Sequence, residues 1–109
     1  MKSPEQKSPE SNTSTGVKEY YQKCLDSAKK VGLEALVSVK LPPGMALSAA
    51  IGIIEHQFDK RKSEFDQEIT ASYIKKIKTI TEEGFGLIYN KGDKLTPEEV
   101  KSWLNNKLK

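Results

Sequence analysis

The stretch Val31-Gly32-Leu33-Glu34-Ala35-Leu36-Val37-Ser38-Val39-Lys40-Leu41-Pro42-Pro43-Gly44-Met45-Ala46-Leu47-Ser48-Ala49-Ala50-Ile51 decides the fold. At its centre, Leu41-Pro42-Pro43-Gly44 stops any helix, because proline restricts its own φ and pushes the residue before it out of the helical region. Val37–Leu41 alternates apolar and polar residues and reads as extended, and Gly44 is expected to cap the helix that follows. On both sides the period is helical, so this stretch is the turn of an antiparallel hairpin.

Upstream of the turn, Val17, Tyr21, Cys24, Ala28, Val31 and Ala35 recur every three or four residues, with Tyr20, Leu25, Gly32 and Leu36 beside them. This is an apolar stripe on one helix, and Lys18, Glu19, Lys23, Asp26, Lys29 and Lys30 take the opposite side. Downstream, Leu47, Ile51, Ile54, Phe58, Phe65 and Ile69 keep the same spacing, and no proline or glycine interrupts residues 53–82. The spacing predicts one long second helix, with a break at Asp59–Ser63 as the alternative. It is expected to end at Gly84 and Gly86. A turn follows around Asn90-Lys91-Gly92-Asp93. The last helix is marked by Thr96 as cap, Pro97 at the first position and Glu99 closing a capping box. Val100, Trp103, Leu104 and Leu108 form its apolar face.

The chain thus divides into a polar tail (1–16), a helical hairpin (17–82, turn at 41–44), and a loop with a short helix (83–109). The tail, MKSPEQKSPESNTSTG, has no apolar side chain after Met1 and is expected to be disordered. Ser3 and Ser8 precede prolines within a repeated Lys-Ser-Pro-Glu, which reads more simply as solvated tail than as a pair of phosphorylation sites. Small residues gather at the turn end of both helices: Ala28, Gly32 and Ala35, then Ala46, Ser48, Ala49, Ala50 and Gly52. Close helix approach is expected there, and Gly32 and Gly52 are expected to serve it.

Two stripes wider than one hairpin needs imply a further layer. Either a second chain completes a four-helix bundle, or the C-terminal helix folds back, with Trp103 and Leu104 filling the gap. Leu25, Ala28, Leu36, Leu47, Ile51, Ile54 and Phe58 are the residues expected to serve core and partner contact.

The chemistry is sparse. One cysteine, Cys24, allows no internal disulfide and suits a small buried hydrophobe. One histidine, His56, falls far short of a metal set, and no nucleophile–base arrangement is available. Gly84-Phe85-Gly86 lacks the context of a dinucleotide loop, and Asn90–Asp93 lacks calcium-loop spacing. The expectation is a protein that is not an enzyme and takes no cofactor or metal. The net charge of +3 is spread over the chain. Lys60-Arg61-Lys62 and Lys75-Lys76-Ile77-Lys78 are interrupted by acids, so nucleic acid is not the expected partner. Without a secretory leader or a 20-residue apolar run, the reading is cytoplasmic, with no membrane insertion.

The segment Val39–Ile51, with the helices on either side, resembles the IcmR type of chaperone of the Dot/Icm type IVB secretion system. The resemblance covers residues 17 to about 80. It implies a partner like IcmQ, whose amphipathic N-terminal helices the hairpin would cover and keep soluble. Beside it stand two alternatives: a homodimeric helical structural protein, and a nucleic-acid-binding regulator using the two basic clusters.

Overall fold

The computed structural model describes residues 14–109, with side chains from Gly16 onward; the expected disordered tail and Ser3 and Ser8 lie outside the described residues, save for its last three positions. The described chain is all-α. Four helices follow in order, α1 (Ser14–Val37), α2 (Pro43–Arg61), α3 (Gln67–Lys91) and α4 (Pro97–Lys107), with single 3₁₀ turns at Lys62–Glu64 and Gly92–Lys94.

The hairpin turn lies where the prolines put it. Helix α1 ends with the N–H groups of Ser38 and Val39 both donating to the Glu34 carbonyl, and Leu41 N–H reaching back to Ala35 O at 2.8 Å. Lys40 takes the left-handed conformation here (φ 63°), so residues 37–41 are a helix exit and not an extended run. Pro42 occupies the cap position and Pro43 opens α2. Gly44 therefore lies inside the first turn of α2 instead of capping it.

The second helix is not continuous. Its pattern thins at Asp59–Ser63, and the chain reverses a few residues later. The Asp66 carboxylate caps α3 by accepting from Glu68 N–H (2.9 Å) and Ile69 N–H (3.3 Å). Phe65 is drawn under the Tyr20 ring, with centroids 5.7 Å apart, and is buried. Burial of one ring and one cap thus end a helical run that no proline or glycine interrupts.

Helix α3 runs straight through Gly84 and Gly86. Gly84 is buried because α3 crosses α2 there: a Cβ added to it would overlap the Ile51 side chain and lie 3.3 Å from Trp103 Cη2. The glycine costs about 1 kcal/mol in helix propensity, and close packing offsets it. The true stop is Gly92, at φ 53°, whose N–H donates to Ile88 O. Gly32 serves close approach as expected, its absent Cβ facing Leu104 Cδ1 at 2.8 Å and Ala50 Cβ at 3.1 Å. Gly52 does not: nothing lies within 4 Å of an added Cβ. Gly52→Ala is therefore expected to raise stability by about 0.5–1 kcal/mol, read as a higher urea midpoint at unchanged slope.

The start of α4 has the expected chemistry. Thr96 Oγ1 accepts from Glu99 N–H (3.1 Å) and Glu99 Oε1 accepts from Thr96 N–H (3.0 Å), a complete capping box. Glu99 Oε2 also pairs with Lys91 Nζ at 2.9 Å. The Lys91 ammonium, and then the Thr96 amide, hold the Glu99 carboxyl below its ordinary value of 4.5. A depressed pKa adds stability that is present above the ordinary value and lost as pH falls through the lower folded one. Glu99→Gln should therefore lower the melting temperature slightly at neutral pH, and the difference from wild type should shrink as pH falls below the ordinary value of 4.5 and through the lower folded one, where both side chains become neutral.

Candidate functional site

The residues expected to meet a partner lie inside the chain's own core. Leu25, Ala28, Leu36, Leu47, Ile51, Ile54 and Phe58 are all buried, five of the seven nearly or wholly inaccessible. The stripe they form is real, but α3 and α4 close it: Val100, Leu104 and Leu108 of the C-terminal segment are wholly buried in the same cluster, with Ile77 and Ile80 of α3. This corrects the assignment of those seven side chains to a partner contact. The physical reason is the one the sequence obscured, since α3 continues past Gly84 and brings α4 back over the stripe. Of the two ways to cover the stripe, the chain takes the intramolecular one, with Trp103 partly buried against Gly84.

At the other end of the α1–α2 pair an aromatic cluster ties three helices. Tyr21 faces Tyr73 at 4.9 Å and Phe58 edge-on at 6.4 Å, and Tyr20 faces Phe58 at 6.0 Å. The Tyr20 hydroxyl donates to the Gln57 backbone oxygen. Arg61 lies over the Tyr20 ring at 4.9 Å, and Lys76 over Tyr73 at the same distance. Lys62 pairs with Asp59 at 2.9 Å, and Arg61 with Glu64 at 3.0 Å. Members of both basic clusters are thus engaged within the fold, which lowers the positive field available to a polyanion.

Cys24 sits among these rings, 1% exposed, and burial pushes its thiol pKa up, so it remains a protonated, walled-off side chain. Burial raises the Tyr20 and Tyr21 phenols too. His56 is on the exposed face of α2. Among the described residues, no three His, Cys, Asp or Glu side chains group to hold a metal ion, and no helix is long and apolar enough to cross a membrane.

What the fold leaves open is the turn end. A cavity of about 790 Å³ lies between the start of α2 and the end of α3, walled by Pro42, Pro43, Met45, Ala49, Ile88 and Leu95. Among the described residues six large apolar side chains are left exposed; Val37, Val39, Met45, Phe85 and Tyr89 belong to this end, with Met45 58% and Tyr89 87% exposed, and Ile74 lies elsewhere. Sequence reasoning missed this surface because Val37 and Val39 read as an extended run and Met45 as the start of the second helix. Phe85, Ile88 and Tyr89 were assigned to a helix end and a loop. Their i, i+3, i+4 spacing was the available signal.

The class these features define is a small all-α domain with a closed core and one apolar end. No protein-family model, characterised protein or solved structure matches the chain. The IcmR-type resemblance therefore rests on the quoted segment and its flanking helices alone.

Proposed function

We propose that the chain is a non-enzymatic adaptor or chaperone that covers an amphipathic helix of a partner protein at its turn end. One observation carries the reading: among the described residues, five of the six exposed large apolar side chains belong to the turn end, and one of them, Met45, lines the cavity there with Pro42, Ile88 and Leu95. Monomeric surfaces scatter such side chains, and their concentration beside a concave apolar floor marks a contact surface. Asp93 lines it, and the exposed Lys94 and Lys40 lie one and two residues along the chain from its lining residues Leu95 and Pro42, so an apolar face flanked by acidic residues suits the two lysines best. A secretion-system component resembling IcmQ is the partner that the family resemblance implies. The contact surface is then the hairpin turn and the end of α3, in place of the stripe inside the bundle.

Met45→Glu tests this. Met45 is largely exposed, so the charge leaves the fold intact while placing a carboxylate on the apolar floor. Binding of the partner's amphipathic helix is expected to weaken by at least tenfold, with the melting temperature within a degree or two of wild type. Equal affinity of wild type and variant would remove the turn end as the docking surface.

A further inference from the structure

We infer that two copies of this chain exchange their α3–α4 units by straightening the α2–α3 junction into one continuous helix. The reversal at residues 62–66 contains no helix breaker. Lys62-Ser63-Glu64-Phe65-Asp66 has neither proline nor glycine, and none occurs anywhere between residues 53 and 83. Lys62 is already in the right-handed helical region, while Arg61 (φ −125°, ψ 2°) departs from it and Phe65 (ψ 163°) and Asp66 (ψ 132°) hold extended angles. The reversal therefore rests on a few soft dihedrals.

The hydrophobic register keeps its phase across the junction, although residues 59–64 carry no apolar side chain. Phe58 and Phe65 are seven residues apart, and Ile69 follows four later, so a straight helix keeps all three on one face. In the monomer, Phe58 and Phe65 already share a ring neighbour in Tyr20. Lys62, Ser63, Glu64 and Asp66 are exposed, so straightening them disturbs no core packing. What holds the reversal is the Asp66 cap and the seat of Phe65 under Tyr20 and Arg61.

In the exchanged dimer every other core contact is remade between copies. Ile77, Ile80 and Gly84 of one chain pack on α2 of its partner, and Val100, Leu104 and Leu108 close the partner's stripe. The balance between the two forms is set at the hinge, and an exchange of identical elements is the least costly route to a dimer. The hinge lies at the opposite end of α2 from the docking surface, whose α2 and α3 walls the exchange would draw from different copies.

Two variants of one residue separate the exchange from its alternatives. Asp66→Ala removes the cap and permits a straight helix. Asp66→Pro removes the same cap, yet suits the monomer, since Phe65 before it is extended and Asp66 itself has φ −59°. In a straight helix, that proline would clash with the carbonyl four residues earlier. The full chain and both variants are warmed at millimolar concentration to the middle of the melting transition, cooled, and sized by light scattering, with circular dichroism confirming refolding. Wild type should yield a fraction at twice the 12.2 kDa chain mass. Asp66→Ala should raise the dimerisation constant about tenfold or more, because two caps are lost in each pair of monomers. Asp66→Pro should give monomer only. The isolated dimer should persist for hours after dilution in the cold, because its return requires the helices to separate. Wild type and Asp66→Ala both remaining monomeric would overturn the exchange. So would a dimer formed equally by Asp66→Pro, or one that dissociates at once on dilution.

Discussion

Ile54→Asp is expected to unfold the chain. Ile54 is wholly buried at the centre of α2, so the substitution places an ionised or newly protonated carboxyl where no partner for it exists. Burying an unpaired polar group in an apolar core, with the isoleucine packing lost as well, costs more than about 4 kcal/mol. A domain of this size has only about 5–10 kcal/mol in hand. Far-UV circular dichroism should show loss of most helix and no cooperative melt. Ile54→Val, which removes one methylene, should cost only about 1 kcal/mol and preserve the transition. If Ile54→Asp instead folded normally and lost only a binding activity, the stripe would be an outward-facing surface and the closed core described here would be wrong.

The second large effect is expected at Gly84. Valine there brings a branched side chain into Ile51 Cγ1, which lies 3.1 Å from the position of an added Cβ, and into Trp103 at 3.3 Å. Ile51 is itself buried and cannot swing into solvent. Either α3 moves off α2 or Trp103 leaves its seat, at a cost of about 3 kcal/mol, near the upper end for overpacking. The loss should appear as a lower urea midpoint. Gly86, two residues on, is the control: nothing lies within 4 Å of its added Cβ, so Gly86→Ala should stabilise by about 0.5–1 kcal/mol. Equal effects at the two positions would contradict the crossing of α2 and α3 at Gly84.

This pair of glycines also shows where the sequence was legible and where it was not. Residues whose neighbours in the chain decide their conformation could be read directly: the Pro42-Pro43 turn, the Thr96–Glu99 capping box and the stripe periodicity of α1 and α2. Gly84 and Gly92 look alike in one dimension, and both follow a helical pattern. Only Gly92 has a positive φ, and only Gly84 faces another helix, which are facts of three-dimensional packing. The same holds at Phe65 and Asp66, where a local cap and one buried ring end a helical run that no proline or glycine interrupts.

The candidate surface was harder still. An apolar stripe gives the direction of a buried face without saying whether the cover is the same chain or another. Leu25, Ala28, Leu36, Leu47, Ile51, Ile54 and Phe58 were correctly sorted as apolar-facing, and the cover turned out to be α3 and α4. Of the exposed apolar side chains that remain, Phe85 and Tyr89 share a helical spacing with Ile88 on α3, whereas Val37, Val39 and Met45 have no such signature. They become a surface only when the start of α2 and the end of α3 meet.

The most direct measurement is amide hydrogen exchange on the full chain alone at micromolar concentration. The closed core predicts that stripe residues of α1 and α2, such as Ala28, Ile51 and Ile54, exchange as slowly as Leu104 of α4. All should require global unfolding, and their protection should be independent of protein concentration. Exchange of α4 at the rate of an unstructured peptide, or protection of α1 and α2 that grows with concentration, would show that the stripe is closed by another chain.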